Sequence, residues 1–170
     1  HVVCRRQRQM CIRDSVIDDG FYYDFYTDRN FTEDDLKLFE NKMHEILEKN
    51  VLFEKEIINR DEALKIFSDM GETFKKEIIN DLDESQEISL YKQGDWFDLC
   101  RGPHLPNSTF IKSFKLLSVA GSYWRGDETR ESLQRIYGTA FSNPKDLKKH
   151  LKIIEEAKKR DHRKLGKELD

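Results

Sequence analysis

The sequence predicts an α+β fold: a two-layer antiparallel sheet with packed helices, followed by a long C-terminal helix. Two observations predict it. Helical apolar spacing and strand-like alternation occur in the same chain, and the strands are joined mostly by short turns, which argues hairpins and antiparallel pairing. The chain then closes on one long basic helical pattern after Asn143 and Pro144.

The elements follow in order. Residues 16–26 combine an Asp-Gly turn with aromatic, β-favouring residues, a turn followed by a strand. Thr32 and Asp35 approximate a capping box. Leu36, Phe39, Met43, Ile46 and Leu47 then form one apolar stripe of an amphipathic helix. Val51 to Ile58 alternates charged and apolar residues as a strand does, and Asp61 is placed to cap a short helix through Phe67 that Gly71 ends. Residues 81–87 read as an acidic loop, and Ile88 to Cys100 as two short strands around Gln93-Gly94. Phe114–Trp124 and Leu133–Phe141 are two more strands, separated by Arg125-Gly126-Asp127. Asn143 and Pro144 suit the N-cap and first turn of the last helix, whose apolar face carries Leu147, Leu151, Ile154 and Leu165.

Composition bounds the rest. The 170 residues suffice for one ordinary core. With 37% hydrophobic and 11% aromatic residues, wholesale disorder is excluded, and eight Gly and three Pro exclude collagen-like or linker-dominated chains. No apolar run approaches the ~18 residues of a membrane span, so a soluble chain is expected. Three Cys form no disulfide framework, which favours a reducing compartment. The net charge of −3 conceals a split: residues 16–99 carry 10 basic and 23 acidic side chains, residues 100–170 carry 16 and 9. The basic excess suits a polyanionic partner, and a solvated helix face accounts for it equally well.

Residues 1–15, HVVCRRQRQMCIRDS, hold four Arg, two Cys and no apolar periodicity. A secretory signal requires an apolar stretch that is missing here. The composition is compatible with an organellar transit peptide. MCIRDS, however, resembles the translation of a sequencing-library transposon end, so the segment is taken as non-native and left out of the fold.

The densest cluster of reactive side chains is Asp98-Leu99-Cys100-Arg101-Gly102-Pro103-His104. Strand alternation puts Asp98 and Cys100 on one face, and Gly-Pro forbids a helix, so Cys100 and His104 meet around a turn. One Cys and one His supply at most half of a tetrahedral zinc site. A nucleophilic Cys-His pair lacks an identifiable orienting group, and a structural Cys beside a surface His explains the same spacing. Lys75, in Gly71-Glu72-Thr73-Phe74-Lys75, is a candidate for holding water or phosphate, or a solvated lysine near a helix end. The segment Tyr123-Trp124-Arg125-Gly126-Asp127 is a candidate base-stacking platform, or core packing beside a surface loop. His44 and His150 read as solvated.

From Val16 to Asp170 the chain resembles the threonyl-tRNA synthetase family. The resemblance is carried, in order, by VIDDGFYYDF, GETFKKE, DLCRGPHLP, YWRGD, LQRIYGTAF and EEAKKRDHRKLGKELD. It implies the second additional domain type shared with alanyl-tRNA synthetases: an editing domain over 16–142, N-terminally truncated, then a basic linker helix over 143–170 towards an aminoacylation core that the sequence does not contain. The implied activity is hydrolysis of mischarged seryl-tRNA(Thr) in an enzyme that attaches threonine to tRNA(Thr) using ATP. The physical motive is that one methyl distinguishes threonine from serine by only about 1–3 kcal/mol.

The resemblance assigns Lys75 to positioning or activating water, His104 and Cys100 to the substrate pocket, Asp98 to the seryl amino group and Tyr23 to the terminal adenosine. His104 has the chemistry to polarise the carbonyl or share a proton. Arg160, Arg163 and Lys164 on the last helix suit tRNA phosphates. No cofactor or metal is expected in this segment. ATP, Mg and Zn belong to the family's core, which also forms its homodimer, and a cytoplasmic location without membrane contact is implied. One departure stands out: the family's H-x-x-x-H helix ahead of GFYYD is missing, so impaired hydrolysis is expected. A free-standing trans-editing deacylase and a non-catalytic tRNA-binding module are the alternatives.

Overall fold

The computed structural model describes residues 16–17 and 20–168, with the side chains of 20–157, 159 and 160. The segment read as non-native, residues 1–15, lies outside the described residues, as do Asp18 and Asp19 of the expected turn. The elements run β1 (Val16–Ile17), β2 (Gly20–Phe25), α1 (Glu33–Glu48), β3 (Phe53–Ile58), α2 (Arg60–Asp69), α3 (Thr73–Asp81), β4 (Ile88–Gln93), β5 (Trp96–Leu99), β6 (Ser113–Tyr123), β7 (Ser132–Phe141) and α4 (Pro144–Glu168). Short 3-10 turns occupy Ser108–Phe110 and Trp124–Gly126.

The fold is α+β and every strand pair is antiparallel, as expected, but the strands divide into two sheets. One has the order β1-β2-β7-β6, the other β3-β4-β5. Within the first sheet, Asp24 and Arg135 are cross-strand partners, and the guanidinium donates to both carboxylate oxygens at 2.7 and 2.8 Å while lying 3.9 Å from the Tyr22 ring centroid. The carboxylate raises the Arg135 pKa above its ordinary value, against the lowering effect of burial.

Helix α1 begins at a complete capping box, in which the Thr32 side chain accepts from Asp35 N and Asp35 accepts from Thr32 N. Its stripe packs Leu36, Phe39 and Met43 against Phe21, Phe25, Leu116 and Ile136 of the first sheet. Ile46 stands at the margin of the stripe and remains 37% exposed. The Glu40 carboxylate reaches β6, accepting from Leu116 N at 2.7 Å and pairing with Lys115 at 2.8 Å, where the ladder carries a bulge between Leu116 and Ser118.

Helix α2 corrects one expectation. Its N-cap is Asn59, whose extended backbone lets Oδ1 accept from Glu62 N at 2.8 Å, and Asp61 sits inside the first turn, where its charge favours the helix dipole. The predicted stop at Gly71 holds. With φ at 74°, Gly71 donates to Ser68 O and Glu72 to Phe67 O, the paired bonds of a Schellman motif.

Helix α3 was not anticipated. Its N-cap, Glu72, makes no side-chain capping bond, and its buried face reads Phe74, Lys75, Ile78 and Ile79. A lysine within the buried face obscures the apolar period that would have announced the helix. The main core joins Ala63, Phe67, Phe74, Ile79, Leu90 and Leu99 with Trp124 and Leu133 from the β6–β7 hairpin. Trp124 is 1% exposed, its ring 4.6 Å from Phe74, and its Nε1 donates to Glu77 at 2.9 Å. Core packing is therefore its role, and the stacking reading falls because no ring face is free for a base.

Helix α4 starts as predicted, Asn143 Oδ1 accepting from Lys145 N at 2.9 Å. His150, expected in solvent, is half-buried beside Phe141 at 5.2 Å between ring centroids, because it shares the inward stripe of Leu147 and Leu151. His44 is exposed as expected, its ring 4.6 Å from Phe114. Among the described residues no helix is long and apolar enough to cross a membrane.

Candidate active site

The site begins at the edge strand β5 and the turn that leaves it. Asp98, 4% exposed, directs both carboxylate oxygens into the protein. Oδ1 accepts from Leu99 N at 2.7 Å and lies 2.5 Å from Lys75 Nζ. Oδ2 accepts from the Tyr23 hydroxyl at 3.1 Å. Three elements thus converge on one carboxylate: β5 supplies it, α3 brings Lys75 and β2 brings Tyr23. The Tyr23 bond also links the two sheets.

Lys75 is 2% exposed, with Nζ 5.3 Å from the Phe67 ring centroid. The solvated-lysine alternative is therefore wrong. An ammonium is tolerated there because the Asp98 carboxylate and an aromatic face replace part of its hydration. Neutralising either partner leaves the other charge stranded in a poorly solvated site.

Two residues past β5 the chain turns. Cys100 N donates to Ser89 O at 3.1 Å and Ser89 Oγ to Cys100 O at 2.6 Å, which fixes the Cys100 backbone against β4. The Gly102-Pro103 bond is cis, and His104 Nε2 lies 2.9 Å from Cys100 Sγ. The predicted meeting of Cys100 and His104 around a turn is what the structure contains. Cys100 is half-buried, and His104 is exposed with its ring against Tyr91 and Phe53.

The five side chains assigned to hydrolysis therefore form two adjoining groups, Tyr23–Lys75–Asp98 and Cys100–His104. Tyr91 stands beside both, opposite Asp98 in the β4–β5 register and in ring contact with His104. Sequence reasoning missed Tyr91 and Phe53, whose only sequence signal was an aromatic in each strand next to the reactive segment. Arg160 stands on α4, exposed, with Nε 3.4 Å from Glu156 O, while the side chains of Arg163 and Lys164 lie outside the described residues.

Among the described residues no three His, Cys, Asp or Glu side chains gather as a metal site. A groove of about 610 Å³ lies elsewhere, between α1 and β6, bordered by Phe31, Leu36, Lys37, Glu40 and Leu116. It contains none of the residues above, so chemistry and not size identifies the candidate site.

Comparison with known proteins covers part of this region. Residues 88–137 match the model of the threonyl and alanyl tRNA synthetase second additional domain. That stretch holds Asp98, Cys100 and His104 but neither Tyr23 nor Lys75. Threonine--tRNA ligase of Legionella pneumophila (strain Philadelphia 1) is 56% identical over 155 residues, 91% of this chain and 24% of that protein. The same-named proteins of Bartonella bacilliformis and Rickettsia akari are 56% and 53% identical, again over 91% of this chain and 24% of theirs. The chain spans about a quarter of the length of the curated relatives it matches.

Proposed function

We propose that this chain, a segment of the threonine–tRNA ligase family carrying its second additional domain, is built to hydrolyse the ester of seryl-tRNA(Thr). The observation that carries the reading is the convergence of Lys75, Asp98 and Tyr23 beside the Cys100–His104 pair. In the reaction, a water oxygen attacks the ester carbonyl carbon. The bond to the ribose oxygen breaks, the ribose oxygen takes up a proton, and serine and tRNA separate.

Each residue has a part consistent with its surroundings. Lys75 as an ammonium has three donors, and Asp98 occupies one, which leaves donors to hold water or the ester oxygen. Asp98 accepts twice through Oδ1 and once through Oδ2, so Oδ2 retains a lone pair for the seryl ammonium. His104, exposed and fixed at Nε2, is suited to proton exchange with the attacking water or leaving oxygen. Cys100 borders the space in which the serine side chain would sit. Rejection of the threonyl methyl is worth about 1–3 kcal/mol per methylene-sized difference in a binding pocket, so the reading includes a steric limit on the amino acid.

The relatives carry this stretch within a chain four times longer, which favours action within a ligase over a free-standing deacylase. Residues 1–15 contain no H-x-x-x-H pair, and hydrolysis by this chain is therefore proposed to be slow. The test is serine release from seryl-tRNA(Thr) under single-turnover conditions, with and without a family-type H-x-x-x-H segment joined ahead of Val16. Release that rises with the segment, is lost in His104→Ala and spares threonyl-tRNA supports the reading. No release even with the segment, alongside tRNA binding that weakens steeply with salt, favours a non-catalytic tRNA-binding module.

A further inference from the structure

We infer that Tyr91 is a positioning residue of this site, holding the His104 imidazole at a set orientation relative to Asp98. The inference rests on the hydrolytic reading for its purpose but not for its geometry.

Three observations meet at this ring. Tyr91 pairs with Asp98 across the β4–β5 ladder, and directly opposed residues of an antiparallel pair present their side chains on one face. Its ring centroid lies 4.1 Å from that of His104 at 54° between planes, while Phe53 stacks on the same imidazole at 5.8 Å and 21°. Tyr91 is 9% exposed, so an otherwise exposed histidine leans on a buried neighbour.

Gly102 lies against the same phenol. It has φ of 67°, and a Cβ built there would stand 2.0 Å from Tyr91 Oη and 2.6 Å from Cζ. The turn between Cys100 and His104 therefore rests directly on the phenol, and only glycine permits both the backbone angle and the approach. One side chain thus supports the turn that carries His104 and the ring of His104 itself. Nε2 is directed at Cys100 Sγ, a partner able to donate or accept, so the inference includes that the ring held here keeps one of its two neutral tautomers.

The experiment reads the tautomer of His104 by ring ¹⁵N NMR of the full chain above the histidine titration range, with His104→Gln assigning the signal among five histidines. The wild-type chain should give the two well-separated ring nitrogen shifts of one tautomer. Tyr91→Phe should preserve them, and Tyr91→Leu should move them together towards tautomeric averaging. Averaged shifts already in the wild-type chain overturn the inference, whatever the variants do. So do separated shifts that persist in a folded Tyr91→Leu.

A kinetic arm uses the chain bearing the H-x-x-x-H segment. There Tyr91→Leu should lower kcat about tenfold or more with KM within about twofold, and Tyr91→Phe should restore most of it. A raised KM at unchanged kcat overturns a positioning role. If no form of the chain hydrolyses seryl-tRNA, the function fails and the tautomer measurement still decides the role of Tyr91.

Discussion

Lys75 Nζ lies 2.5 Å from Asp98 Oδ1, with the two side chains only 3% and 5% exposed. A charge pair this deep is sustained by mutual attraction and by the remaining hydrogen bonds of Asp98, because each charge has lost most of its water. Lys75→Ala or Asp98→Asn should therefore destabilise the chain by about 3–5 kcal/mol. Lys75→Met with Asp98→Leu should recover much of that loss while removing any hydrolysis. Urea unfolding of the four forms checks this, and single variants within about 1 kcal/mol of the parent would contradict a desolvated pair.

Trp124 offers a prediction in which packing and function separate. Trp124→Ala should cost about 3–5 kcal/mol by opening a cavity beside Phe74 and stranding part of the Glu77 hydrogen bonding. Trp124→Phe keeps most of the ring volume and should cost distinctly less. Thermal unfolding of both measures it, and equal stability of all three chains would remove Trp124 from the core.

The start of α1 should be sensitive to acid. Hydrogen bonding first to Arg29 and then to Thr32 holds the Asp35 carboxyl well below its ordinary 3.8. A depressed pKa contributes stability that is present above the ordinary value and is lost as pH falls through the folded one. The protection factors of the Thr32, Asp35 and Leu36 amides, which correct for the intrinsic slowing of exchange in acid, should therefore hold to pH 4 and fall below it. In Asp35→Asn that dependence should vanish, and a first turn insensitive to acid in the parent chain would contradict the capping box.

The tRNA contact assigned to Arg160 is testable by salt. Arg160→Ala should weaken tRNA binding uniformly across sequences and reduce the slope of log K against log salt by about one. An unchanged slope removes Arg160 from the phosphate contacts.

How far the sequence was legible varies with the range of the interaction. Thr32, Asp35, Gly71, Gly94, Asn143 and Pro144 act on backbone groups a few residues away, so their caps and turns were readable from the string alone. Asp61 misled because Asn59, two positions earlier, is an equally good cap, and only the backbone geometry chose between them. Helix α3 stayed hidden because its buried face includes Lys75, a residue that local patterning assigns to solvent.

By itself, then, the sequence determined the α+β class, the hairpins, three of the four helices among the described residues and the turn that brings Cys100 to His104. Each depends on backbone preferences or spacings that act within a few residues. Tertiary structure alone decided the division into two sheets, the burial of Lys75 and Trp124, and the meeting of Tyr23 with Asp98 across 75 positions. A buried charge finds its partner only when separate elements pack. The spacing of Lys75 in the string carries no trace of a carboxylate supplied by another strand.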